Sequence, residues 1–281
     1  MRPRSMPTQR GERRRSSSNT REYGSDEYWI ERHARGGGSE DDTDEWLAGW
    51  PQLRALLIPV LPAGASVLDL GCGVSSLCFD LLRDHLNSSG RVCALDIAPG
   101  AIAKLGTEQQ ARMARGEVSA MRADLLCADA TEPGAWLPLT AAFDAVVDKS
   151  TTDGLLCDTR RGAKRVRDIY AHVGKALRPE GVVIVASWRD PNDGFEWVAD
   201  CVLGGLRSVE DWEAAEDTAA HWSVDVHSIE LRDNDAAAPH IYVMQRRQRR
   251  LMRRQTATRA AARRHGVVEA DVPVRHHLHP A

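Results

Sequence analysis

A chain of 281 residues with 42% hydrophobic content can fill one large core, so we expect a single domain with tails rather than two small units. No apolar run approaches the roughly 18 residues a membrane helix needs, and no leader pattern opens the chain, which predicts a soluble intracellular protein with no membrane partner. The net charge of -3 averages three unlike regions: seven Arg against one Glu in residues 1–21, ten Arg against two acids in 246–281, and 20 basic against 37 acidic residues between them.

The acidic middle, at net -17, disfavours nucleic acid on the domain itself and leaves any such contact to the basic tails. Residues 1–21 are rich in Arg and Ser with only Met1 and Met6 as large apolar side chains, which predicts disorder rather than a transit helix. Residues 246–281 read the same way, as a basic tail. Cys72, Cys78, Cys93, Cys127, Cys157 and Cys201 include no CxxC pair and read as small buried residues in a reducing compartment. His276, His277 and His279 have no thiol or carboxylate neighbours that would make a metal site, and no metal is expected.

Along the chain, His33 to Thr43 is a Gly-rich acidic loop. Trp46, Leu47, Trp50, Leu53, Leu56, Leu57, Val60 and Leu61 then recur at helical spacing up to Pro62, predicting an amphipathic helix. From Ser66 onward, short apolar runs alternate with helix-period segments, the rhythm of a mostly parallel sheet. Strands are expected at Ser66–Leu70, Arg91–Asp96, Ala123–Ala128, Phe143–Asp148, Gly181–Trp188, Val224–Leu231 and His240–Gln245. Val166, Ile169, Tyr170, Val173 and Leu177 line one face of a helix that stops before Pro179 and Gly181. The last two strands flank a short turn at Asp233–Asn234–Asp235, too short for a crossover helix, so they must run antiparallel. The fold class is therefore α/β, a doubly wound Rossmann-like sheet of seven strands, mostly parallel with a C-terminal antiparallel hairpin.

Three strand ends carry the chemistry. Asp69, Gly71 and Gly73 stand where the first strand turns into a helix; glycines admit a ligand close to the backbone, and the helix presents free amides. Asp96 ends the second strand, 25 residues after Gly71, where a carboxylate accepts from both hydroxyls of a ribose. That much also suits a nicotinamide dinucleotide, but Ser76 stands where its third glycine belongs. Asp129, before Ala130, ends the third strand, where an acid accepts from an adenine amino group.

These residues resemble the class I S-adenosylmethionine-dependent methyltransferases, which implies S-adenosyl-L-methionine as cofactor. A narrower resemblance lies in Phe143–Leu156: Asp148-Lys149-Ser150-Thr151-Thr152-Asp153 is similar to the Asp-Lys-Gly-Thr-Leu-Asp signature of a eukaryotic lysine methyltransferase family that modifies elongation factor one-alpha or citrate synthase. Tyr28, Trp29, Glu31, Arg32, Trp46 and Gln52-Leu53-Arg54 are similar to that family's N-terminal segment. The likeness covers roughly residues 22–245, taken as the methyltransferase domain. It implies cofactor contacts from Tyr28, Trp29, Gly71, Asp96, Ile97, Asp129, Ala130 and Lys149, and a role in activity for Asp148, Lys149, Thr151 and Asp153. Ser150 and Thr152 depart from the signature, on the acceptor side.

The implied reaction moves a methyl group to a lysine of a protein. The acceptor amine must be neutral, since an ammonium has no lone pair, and Asp148 and Asp153 are expected near the pocket mouth as positioners of the incoming lysine. Their other reading is as caps of the turn after the fourth strand. A small-molecule acceptor, or a non-catalytic adapter touching RNA through the tails, are the alternatives the fold leaves open. Cytoplasmic residence is expected, with nucleus or mitochondrion as other addresses.

Overall fold

In the computed structural model, residues 19–35, 45, 47–86, 88–117, 123–136, 139–193, 195–207, 221–229, 239–247 and 274–279 are described. Strands β1 (Ser66–Leu70), β2 (Arg91–Asp96), β3 (Ala123–Cys127), β4 (Phe143–Lys149), β5 (Leu177–Ser187), β6 (His221–Ile229), β7 (His240–Arg247) and β8 (Val274–His279) form one sheet, in the order β3-β2-β1-β4-β5-β7-β6-β8. β1 through β5 are parallel, and β7 runs antiparallel to both β5 and β6. All seven expected strands are present. β7 inserts between β5 and β6, so β6 keeps the direction of the parallel strands and β7 alone is reversed within the expected seven.

Helices cover both faces. α2 (Trp50–Leu57), α3 (Leu77–Asp84) and α4 (Pro99–Ala114) pack on one, where Leu53, Leu57, Phe79, Leu81 and Leu105 meet Val67, Val92, Ala94 and Ile184. α6 (Gly162–Ala176) packs on the other, burying Val166, Ile169, Tyr170 and Val173 against Leu68, Val146, Val183 and Tyr242. Neighbouring strand residues fall into opposite layers, and both layers are buried. The central strands therefore read as unbroken apolar runs rather than as alternations.

Three features depart from the sequence reading. The N-terminal helix begins at Trp50, not Trp46, because Pro51 occupies its first turn, where a missing N–H costs nothing; Gly49 caps it, donating to Gln52 Oε1 at 3.2 Å. Trp46 and most of the Gly-rich loop lie outside the described residues. β5 begins at Leu177 rather than Gly181: Leu177 pairs with Phe143 and Val182 with Ala145, so the intervening residues bulge, with Glu180 at φ +66°. β8 falls in the stretch expected to be a tail without order; β6 offers a free edge, and Val274–His279 pairs along it in parallel. The Asp233–Asp235 turn lies outside the described residues.

Ahead of the sheet, a 3-10 turn (Asn19–Gly24) leads into α1 (Asp26–Ala34), capped by Ser25, whose Oγ accepts from Tyr28 N at 3.1 Å. No residue of α1 is buried. Polar contacts hold it: Arg165 of α6 donates to Gly24 O at 3.2 Å and to Asp26 Oδ1 at 2.5 Å.

Candidate functional site

The carboxyl ends of β1, β2 and β3 lie side by side, and a cleft of about 210 Å³ opens above them. A crevice outside the carboxyl ends of the strands is where doubly wound sheets hold ligands. Its walls include Gly71, Gly73, Asp96, Ile97, Asp129 and Ala130, together with Trp29 from α1 and Lys149 and Thr151 from the end of β4.

The loop after β1 has little freedom. Gly71 adopts φ +64°, and a Cβ there would lie 1.9 Å from Thr151 Oγ1, which itself donates to Leu70 O at 2.9 Å. Gly73 adopts φ +55°, and a Cβ on it would meet nothing nearer than the His33 ring at 4.0 Å, so its bare backbone faces open space. Asp96 accepts from Gly73 N and from Ala98 N, both at 2.8 Å, and so fastens the glycine loop to the end of β2. A carboxylate has about four acceptor sites, and these bonds leave capacity for a ligand. Asp129 Oδ1 accepts from Thr131 N at 2.8 Å and Thr131 Oγ1 at 2.7 Å, which sets the turn carrying Ala130.

Asp69 lies beneath the loop. It is buried, its Oδ2 has no hydrogen-bond partner, and burial pushes its carboxyl up to about 7; Lys149 opposes the rise, while Glu45, Asp96 and Asp148 add to it. Lys149, also buried, pairs with Glu45 at 2.8 Å.

Two expectations for the pocket mouth do not hold. Asp148 is buried beside the turn after β4 and is absent from the cleft walls; it accepts from the amides of Thr151 and Thr152, from Thr152 Oγ1 at 2.6 Å and from Tyr170 Oη at 2.8 Å. Burial raises its carboxyl to about 6, against the pull of these donors. Its place is that of the capping acid. Asp153 accepts from Ser187 Oγ at 2.7 Å and Trp188 N at 2.9 Å, tying α5 (Thr151–Leu155) to the end of β5, and is likewise off the walls. Burial raises this carboxyl too.

Tyr28 also stands off the cleft, edge-on to Trp29 with ring centroids 5.1 Å apart, while Trp29 donates from Nε1 to Tyr23 O at 2.8 Å and stacks on His33. Sequence reading missed Glu45, Arg165 and His33. Glu45 sits among several acids of one loop with no spacing to single it out, and Arg165 is one of many arginines, 139 residues from Asp26. Among the described residues, no group of His, Cys, Asp and Glu could hold a metal ion, and no helix is long and apolar enough to cross a membrane.

A family model described as a methyltransferase domain matches residues 61–230. The mitochondrial citrate synthase-lysine N-methyltransferase CSKMT of Homo sapiens is 29% identical over 174 residues, 58% of this chain and 70% of its own length. EEF1A lysine methyltransferase 4 of Mus musculus is 26% identical over 178 residues, 61% of this chain and 64% of its own. Among solved structures, a SAM-dependent methyltransferase from Methanosarcina mazei, 15% identical, covers 68% of this chain and 95% of its own with a TM-score of 0.44. The chain belongs to the methyltransferase-domain family and is an S-adenosylmethionine-dependent methyltransferase.

Proposed function

We propose that the protein methylates a lysine side chain of a protein substrate, using S-adenosyl-L-methionine held in the cleft above β1, β2 and β3. The observation that carries the acceptor class is the similarity to two lysine methyltransferases, at 29% and 26% identity. The donor set suits such a cofactor. Gly73 leaves its backbone open to a ligand, Asp96 has acceptor capacity left for ribose hydroxyls, and Asp129 and Ala130 on the cleft wall would take the adenine edge in this reading. Asp69, expected as a cofactor contact, is off the cleft walls and lies outside this donor set, buried beneath the loop.

When bound, the cofactor supplies a methyl group already activated by its sulfonium. The chain's residues then have to align the acceptor and exclude water. Leu70, Leu95, Leu155, Ile169 and Trp29 give the cleft apolar walls, which disfavour an ammonium there and favour the neutral amine that attacks. Thr151, expected to have a role in activity, acts in this reading by setting the glycine loop through its contact with Gly71 and its bond to Leu70 O. Asp148 and Asp153 shape the turn after β4 and act on the acceptor only through that turn.

We place the reaction in a reducing compartment, on the strength of six free cysteines, four of them buried, with the cytoplasm as our reading and nucleus or mitochondrion as the other addresses. Incubating the protein with methyl-labelled cofactor and cell extract, then mapping label by mass spectrometry, tests the assignment. Label on lysine ε-nitrogens of one or a few proteins is the expected result; label confined to small metabolites would reject the lysine assignment.

A further inference from the structure

We propose that Glu45 is a positioning residue for the cofactor cleft, holding the Lys149 ammonium at the cleft wall and bracing the first turn of α3 behind the glycine loop. Glu45 comes from the stretch between α1 and α2, outside the sheet, and is not itself on the cleft wall. Its carboxylate nevertheless gathers two residues that are, Lys149 and Ser75, together with Ser76 at the start of α3. Oε2 lies 2.8 Å from Lys149 Nζ, both oxygens lie 3.0 Å from Ser75 Oγ, and Oε1 accepts from Ser76 N at 3.0 Å and Ser76 Oγ at 3.3 Å.

Two physical arguments give these contacts weight. The Lys149 side chain is only 6% exposed, and a buried ammonium needs an ionic partner to stay charged in one place. A carboxylate at the start of α3 also complements the positive end of that helix and satisfies one of its free amides. Without the Glu45 charge, Lys149 has another acid within electrostatic reach, Asp69, whose Oδ2 is unpaired beneath the loop. Lys149 would turn toward it and leave the wall. Glu45 thus decides which of two acids holds the lysine.

A double-mutant cycle read by calorimetric titration of S-adenosylmethionine, with no acceptor present, tests this independently of the lysine assignment. Glu45→Gln keeps an acceptor for Ser76 N and removes the charge. We expect it to weaken cofactor binding about tenfold with little change in melting temperature, Lys149→Met to weaken it at least as much, and the double variant to be no weaker than Lys149→Met alone. Glu45→Asp, which keeps the charge, should recover part of the loss. Unchanged affinity in Glu45→Gln, losses that multiply in the double variant, or no recovery with Glu45→Asp would each overturn the proposal.

Discussion

Asp96 and Asp148 are both buried aspartates at the carboxyl ends of parallel strands. What separates them is who donates to them. Asp96 receives two backbone amides and still borders the cleft, whereas Asp148 is surrounded by Thr151, Thr152 and Tyr170. The capping role was one of the two readings the local sequence allowed, whereas the contact with Tyr170, 22 residues away on α6, was not legible locally. The acids at β2 and β3 were legible because strand ends of a parallel sheet converge by topology alone. Asp96→Ala removes a charged acceptor from the cleft and from the loop. Cofactor affinity should fall by about 1.5–3 kcal/mol, roughly ten- to hundredfold, in a calorimetric titration; an affinity within twofold of the unsubstituted protein would show that Asp96 does not meet the ligand.

Helices with an apolar stripe announced themselves, and α6 is the clearest, its buried residues matching the spacing from Val166 to Val173. α1 did not. With nothing buried, it lacks the periodic signal on which such reading depends, and only its likeness to a family segment marked it. The same deficit makes it dependent on Arg165, which has few apolar contacts in α1 to share the burden. Arg165→Ala removes the bonds to Gly24 O and Asp26, worth about 1.5–3 kcal/mol to this element. Hydrogen exchange should speed up about tenfold or more across residues 26–34 while the amides of β1 and β4 stay protected. Equal acceleration in both regions would mean that Arg165 supports the whole domain instead.

Strand order follows from βαβ rhythm and right-handed crossovers, so the parallel core was legible in outline. The insertion of β7 between β5 and β6 was not, because a hairpin docks either way round as far as periodicity can tell. β8 pairs from 27 residues beyond β7, a distance across which local patterns carry no information. The molecule as a whole also carries a pH dependence. Asp69, at about 7, and Asp148, at about 6, both lie above the ordinary value of 3.8 because they are buried. A raised value in the folded chain means that folding takes up protons as pH falls. Their contribution is fully present below pH 3.8 and is lost as pH rises through about 6 to 7. The melting temperature should therefore be higher at mildly acidic pH than at alkaline pH, and Asp69→Asn should flatten the difference. A melting temperature that climbs steadily with pH over this range would contradict the burial of these two groups.

The wedge of Thr151 against Gly71 bears on kinetics. A loop cast in its final shape before any ligand arrives has no slow isomerisation to pass through, so the observed association rate should climb in proportion to cofactor concentration without levelling off. Quenching of Trp29, on the cleft wall, offers the stopped-flow signal, and a plateau would reveal a rearrangement that this packing forbids.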